Sequence, residues 1–382
     1  MTSRRSSSNA PSRSFGDAQV AGFRLQRHYL GRTALPGVVT ICRGVCGLQA
    51  QIMSAAFLQA WARNHHLSRG EIEDALWKKR TLVKTSLMRQ TIHLIPADEF
   101  PIYIAALRCS RVAAVLRVMS RCGIDREEGE ALTRLIVESL ASGPCRQPAI
   151  RAAVRPKVSK RVRWWMDRVW SILRIPIAEG LICYGPGEGN EATFIRTDQW
   201  MTLEPRTISE EQARVQLLRS YLGAYGPATI RDFAHWAGMP AGEVRPLPAL
   251  LARELAEIDT RACLLLHKDV DYLRAQTGKA ISVRLLPHFD PYLLAHREKD
   301  HLISARHYKR VYRNQGWISP VVLVDGAIAG VWNHKLQGKN VSVEVELFEK
   351  LPKVGRARVE QEAESLARFL GGVLKAFRIA KS

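Results

Sequence analysis

Carboxylates are scarce in this chain: 36 Asp and Glu stand against 57 Lys and Arg in 382 residues, a net charge of +21. Such self-repulsion is relieved by a polyanionic partner, and nucleic acid is the first candidate. An anionic membrane surface is the second, but no long basic amphipathic helix with a broad apolar face stands in the sequence. An Arg-rich background composition with no polyanion is the third. No apolar run reaches membrane-spanning length. Residues 1–16 are rich in Ser and Arg and lack the apolar stretch of a secretory signal, although an acid-poor start also resembles a transit peptide. We read a disordered basic tail, bounded at residue 19. The seven cysteines are scattered, and only Cys42 and Cys46 share a spacing that fits one helical face. With no second pair at zinc-ligand spacing, the reading is reduced thiols, no metal and a cytoplasmic, nucleoid-associated location. A Walker lysine loop, a dinucleotide glycine fingerprint and a nucleophile elbow are also missing, so no cofactor is expected.

Apolar residues make up 46% of the chain, enough for a globular protein of two or three domains. Helical patterns over residues 20–29, 38–46 and 52–64 precede Ser68, which with Glu71 fits a capping box. Strand patterns follow at 82–88 and 91–95. Helix, helix, helix, hairpin is the order of a winged helix. The plan recurs twice. Helices at 132–142 and 217–225 each run into Gly-Pro, at Gly143-Pro144 and Gly226-Pro227, where Gly suits a left-handed cap. The second unit then reads as one helix over 164–179 and a hairpin of 181–184 with 193–196, its tip at 185–190. The third reads as helices at 230–237 and 247–256 and strands at 263–267 and 280–286. Beyond, apolar strands at 317–324, 328–332 and 341–348, with Asp325-Gly326 as a hairpin turn, read as a small antiparallel sheet or barrel. A helix over 359–377 closes the chain. The fold expected is α+β, with three winged-helix units at 20–124, 125–206 and 207–286 and a C-terminal β domain at 287–382.

Several phrases then carry a resemblance. They are Val45-Cys46-Gly47-Leu48-Gln49-Ala50-Gln51, Thr81-Leu82-Val83-Lys84-Thr85, Met88-Arg89-Gln90-Thr91-Ile92-His93-Leu94, Ala224-Tyr225-Gly226-Pro227, and Pro287-His288-Phe289-Asp290-Pro291-Tyr292. With Pro320-Val321-Val322-Leu323-Val324-Asp325-Gly326 they resemble, in order and from about Phe23 onward, the bacterial winged-helix family that contains the AlkZ and YcaQ DNA glycosylases. The resemblance implies three tandem winged helices around a C-terminal β-barrel. It implies excision of bulky or crosslinking alkyl lesions on a guanine ring nitrogen. It also implies a catalytic Gln-x-Gln motif, here Gln49 and Gln51. Where many members have Met-Arg-Gly-Thr, this chain has Gln90, which alters the turn of the first hairpin.

A glutamine amide cannot act as a general base at neutral pH, but it accepts from a water and donates to a sugar or phosphate oxygen. Alkylation on the ring nitrogen makes guanine cationic, so it departs as a neutral base without a general acid. The protein then has only to hold the water and favour an oxocarbenium-like sugar. Undamaged DNA should not react. Residues two apart on a helix point about 200° from each other, so the pair needs an extended segment or a helix break, which Gly44 and Gly47 allow. The plain alternative is that both glutamines cap or turn the backbone.

Further candidates are contacts to DNA or walls of a lesion pocket. Arg89 and His93 lie in the first hairpin; the alternatives are an ordinary ion pair and a packed histidine. Arg155, Lys157, Lys160, Arg161 and Arg163, beside Trp164 and Trp165, make the densest basic run, with Arg151 before it and Asp167 after. His288, Asp290 and Tyr292 are candidates for the lesion pocket, Asp290 stabilising charge on the sugar; the alternative is a turn, since Asp-Pro starts turns readily. Arg297, Lys299, Arg306 and Arg310 form a second basic stretch expected to clamp the backbone. The reading is a monomer that binds alkylated or crosslinked duplex DNA and hydrolyses the glycosidic bond of a cationic purine, with no lysine marked for lyase chemistry. The rival is a winged-helix regulator without catalysis.

Overall fold

A computed structural model of the chain describes residues 15–31, 33–188, 191–202, 208–258, 262–277 and 282–380. Most of the basic tail, the last two residues of the 185–190 tip, the start of the 280–286 strand and the boundary at residues 206 and 207 lie outside these. The tail ends earlier than residue 19, since a helix already runs over Asp17–Arg27.

Helices Val38–Gly44, Met53–Arg63 and Arg69–Glu73 follow, the last widening into a π turn over Asp74–Lys78. Ser68 and Glu71 close the expected capping box: Glu71 N donates to Ser68 Oγ at 3.2 Å and Ser68 N donates to Glu71 Oε2 at 2.8 Å. Strands Leu82–Ser86 and Ile92–Pro96 form the hairpin, and a two-residue strand, Leu48–Gln49, adds to its free edge. A 22-residue helix, Phe100–Arg121, not read from the sequence, leaves this sheet.

The second unit holds helices Arg126–Ser139, Gln147–Val154 and Lys160–Met166 and the hairpin Ile182–Glu188 with Glu191–Arg196. The single helix expected over 164–179 is two pieces, Lys160–Met166 and Arg174–Ala178. Ser159 Oγ caps Val162 N at 3.2 Å and fixes an earlier start. Pro176 has no N–H to continue a helix and sits in the first turn of a new one.

The third unit holds helices Glu210–Tyr225 and Ile230–Ala237. Gly226 is extended, at φ −61°, rather than left-handed; a Cβ there would lie 2.6 Å from the Leu222 carbonyl oxygen. The helix expected over 247–256 stops at Leu250, and Ala256 belongs to strand Leu255–Ile258, which pairs with Cys263–Leu266. The strand expected over 280–286 is Val283–Leu286, and it leaves this unit: it pairs with Val321–Val324, burying Val283 and Leu285 in the C-terminal core.

The C-terminal sheet has five strands, in spatial order Val373–Ala380, Asn340–Leu347, Ala327–Gln337, Val321–Val324 and Val283–Leu286. Asp325 and Gly326 make the expected turn, at φ 49° and 86°. The sheet is not wholly antiparallel. The closing helix is Lys353–Phe369, and after Gly371 and Gly372 the chain returns as an edge strand parallel to Asn340–Leu347. A parallel pair needs such a crossover, and the helix supplies it.

The units share cores. Val83, Leu87 and Ile95 of the first hairpin pack with Tyr221, Tyr225 and Trp236 of the third unit. Leu58 and Trp61 of the Met53–Arg63 helix pack into the C-terminal sheet. Among the described residues no helix is long and apolar enough to cross a membrane.

Candidate active site

The Gln-x-Gln segment begins where a helix fails. Val38–Gly44 ends, Cys46 and Gly47 turn at φ 55° and 99°, and Leu48–Gln49 continues extended. Gly47 is required twice over: its φ is left-handed, and a Cβ would sit 2.9 Å from Ile95 Cγ2 and 3.2 Å from Leu94 O. Gln49 pairs across the ladder with His93. Its side chain is 6% exposed, and its Oε1 is buried without a donor. Gln51 follows on an exposed bend. Its Oε1 receives Ile92 N at 3.4 Å, and among the described residues no hydrogen bond engages its amide nitrogen.

Three other segments hold this backbone. Tyr225 Oη donates to Val45 O at 2.6 Å. Ala50 N donates to Ile92 O at 2.7 Å. Gln59 Nε2, from the following helix, donates to Gln49 O at 3.0 Å and to His288 O at 3.2 Å. One turn on, Arg63 donates to Gln59 O at 2.8 Å and forks onto Asp290 at 2.8 and 2.9 Å, with both partners 0% exposed. The neutral ring of His28 lies 3.3 Å from the same guanidinium, its pKa pushed well down by burial and by Arg63. Sequence reading missed Gln59 and Arg63, because polar residues in an amphipathic helix read as its wet face.

Gln51 lines a cavity of about 440 Å³ together with Ser86, Gln90, Arg111, Arg174 and an apolar wall that includes Trp165 and Tyr184. Trp170 stands at its rim, 85% exposed. Among the described residues no acidic side chain lines this cavity. A larger cavity, about 610 Å³, opens beside Arg284 and Glu362 but touches neither glutamine. Gln90 takes φ 61°, and the preceding Arg89 takes φ 52°. Both stand in the left-handed region that such residues tolerate poorly.

Several sequence candidates have other work. Arg89 is not a free contact: it donates to the Trp236 carbonyl at the end of a third-unit helix. His93 is buried, its Nδ1 2.9 Å from Thr91 O, and burial holds its pKa down to about 3, so it is neutral and packed under the hairpin. Asp290, a candidate for the lesion pocket, is wholly buried. It pairs with Arg63 and caps Tyr292 N at 3.0 Å, as an Asp-Pro turn does. Tyr292 is buried and donates to Gly326 O at 3.2 Å. His288 is half-buried, its Nδ1 2.8 Å from Ile318 O and its ring against Trp317.

Of the second basic stretch, Lys299 is buried and donates to His296 O, burial pushing its pKa down to about 8. Arg306 and Arg310 pair with Glu349 and Glu346, so neither is an unpaired clamp, while Arg297 is exposed beside Glu298. The first basic run stays on the surface in part: Lys157 and Lys160 are exposed, Arg155 pairs with Asp167, Arg161 donates to Gly123 O, and Arg163 is half-buried. No three His, Cys, Asp or Glu side chains among the described residues gather as a metal site.

His28, His93, His296 and His301 all titrate below the ordinary imidazole range, chiefly through burial. The unfolded chain therefore binds more protons than the folded one as pH falls below about 6.5, and stability present above that pH is lost toward about 3. Each ring contributes a slope of up to about 1.4 kcal/mol per pH unit in that window. The urea midpoint should hold between pH 7.5 and 6.5 and drop steadily by pH 5; a flat profile would contradict this burial.

The AlkZ-like DNA glycosylase family matches residues 42–369, a span that holds both glutamines, Gln59, Arg63 and Asp290. The chain belongs to that family. An interstrand DNA cross-link repair glycosylase of Streptomyces sahachiroi is 29% identical over 364 residues, covering 92% of this chain and 96% of that one. The solved structure of Streptomyces sahachiroi DNA glycosylase AlkZ superposes with a TM-score of 0.84 at 27% identity, covering 96% of this chain and all of that one. This AlkZ-like chain shares the mixed α/β fold of that glycosylase along nearly its whole length.

Proposed function

We propose that this chain hydrolyses the N-glycosidic bond of cationic, ring-nitrogen-alkylated guanine in duplex DNA, crosslinked guanine included. The observation that carries the reading is the Gln49–Gln51 segment, braced from three sides and opening on a cavity, in a chain of the AlkZ-like DNA glycosylase family. Gln51 presents at the surface an amide nitrogen that no hydrogen bond engages among the described residues, and the buried Oε1 of Gln49 is an acceptor for a water. In the reaction the bond from C1′ to the base breaks and its electron pair neutralises the cationic ring. Water adds to C1′ and gives its proton to solvent, leaving free base and an abasic site. The glutamines orient the water and stabilise the charged sugar; no proton donor to the leaving group is needed.

The winged-helix reading of the three helix-and-hairpin units, near 20–124, 125–206 and 207–286, belongs to the same proposal, as does a barrel-like C-terminal domain from about 287 that also takes in Val283–Leu286. Exposed Lys157, Lys160 and Arg297 suit phosphate contacts along the duplex, bound by a monomer. The test is a duplex crosslinked between two guanine ring nitrogens, incubated with the protein and treated with alkali. Unhooking of the strands and release of the alkylated base by mass are expected. An intact crosslink, with tight sequence-selective binding to unmodified duplex, would turn the reading to a regulator.

A further inference from the structure

The cavity beside Gln51 carries positive charge that no carboxylate among the described residues answers. Arg111 projects into its wall from the long Phe100–Arg121 helix. It is 9% exposed; among the described residues its Nη2 donates only to the Ser86 hydroxyl, at 3.3 Å, and its Nε and Nη1 have no partner. Arg174, from the second unit, lines the same cavity and donates to the neutral amide of Gln90. Burial first, and the charge of Arg174 second, push the Arg111 pKa down to about 10, so the guanidinium stays charged at neutral pH but is held there at a cost. A buried unpaired cation is costly unless a ligand brings the opposite charge.

That charge pattern decides the occupant. A cationic purine ring is repelled by two guanidinium groups, so the damaged base does not enter. Each nucleotide held with its C1′ at Gln51 brings a phosphate within one sugar's width. We propose that Arg111, with Arg174 and the Ser86 hydroxyl, binds a backbone phosphate flanking the damaged nucleotide. The inference deepens the glycosylase reading and assigns the cavity to the DNA backbone rather than to the alkyl substituent. Arg111 is then a positioning residue: it fixes the sugar against Gln51 through the phosphate. Arg on a phosphate is the fork geometry that Lys reproduces only as a point charge.

The test reads binding first, so that it stands apart from catalysis. Duplexes carrying a tetrahydrofuran abasic analogue would be made with an ordinary phosphodiester or an uncharged methylphosphonate at each flanking position. Wild type should bind one methylphosphonate duplex ~10–100-fold more weakly. Arg111→Met should show that same loss on the phosphodiester and little further loss on the methylphosphonate, and Arg111→Lys should recover part of it. Arg174→Met, at an exposed position, repeats the test should Arg111→Met fold poorly by its urea midpoint. Independent, multiplying losses would overturn the assignment. So would an Arg111→Met defect that grows with the size of the alkyl group and ignores phosphate charge, which would give the cavity to the adduct. A wild type that discriminates the phosphate yet releases no base would sink the glycosylase reading and leave the phosphate site standing.

Discussion

Gln51→Ala should lower base release from a duplex carrying a ring-nitrogen-alkylated guanine roughly 10²–10³-fold, the cost of removing one positioned polar group from an oxocarbenium or oxyanion site. The side chain is exposed, and its one hydrogen bond among the described residues, from Ile92 N, is long at 3.4 Å. Its removal should therefore shift stability by less than about 0.5 kcal/mol. Loss of activity without loss of fold is the signature of chemistry. Gln49→Ala should lose activity as severely, but its buried side chain makes some loss of stability expected as well. Both variants belong in single-turnover assays beside a urea titration. Near-normal release by Gln51→Ala would remove the exposed amide from the mechanism.

Arg63→Met should destabilise the fold by about 3–5 kcal/mol, because it strands the Asp290 carboxylate at 0% exposure. The same change releases the Asp290 turn and with it His288 O, which shares the Gln59 amide with Gln49 O. Base release should fall with it, through lost positioning of Gln49. Arg63→Met combined with Asp290→Leu removes both charges and should recover most of the stability, since an apolar pair of similar volume replaces a desolvated ion pair at little net cost. It should recover less of the activity, since an apolar side chain cannot accept from Tyr292 N, as Asp290 does at 3.0 Å. A urea midpoint unchanged in the single variant would contradict the assignment of Asp290 as a buried anchor.

What the sequence showed and what it hid divide along range. Ser68 with Glu71 and Asp325 with Gly326 were legible because three or four consecutive residues fix a cap or a turn. Gly47 was legible as a break, and the break left Gln49 on extended backbone as the chemistry demanded. The strand carrying Gln49 was not legible: it is two residues long and exists by pairing with His93 and Leu94, far along the chain. Asp290 was legible by half: the Asp-Pro turn holds, with Tyr292 N on its carboxylate, while its partner Arg63 comes from a helix 227 residues earlier. The helix expected over 359–377 runs into the closing strand Val373–Ala380, because Leu374 and Phe377 continue an apolar pattern, while the break at Gly371 and Gly372 and the parallel pairing outweigh it. Arg111 gave no local signal, since one arginine in a long helix reads as a solvated face.

Two amides suffice only when the base leaves as a neutral molecule. The direct measurement compares release of 7-alkylguanine with release of its uncharged isostere, 7-deaza-7-alkylguanine, from otherwise identical duplexes in single turnover. Release of the cationic base and none of the neutral one is expected, with comparable binding of the two duplexes. Release of the neutral base at a similar rate would mean that a group other than Gln49 and Gln51 protonates the leaving purine, and would contradict the mechanism.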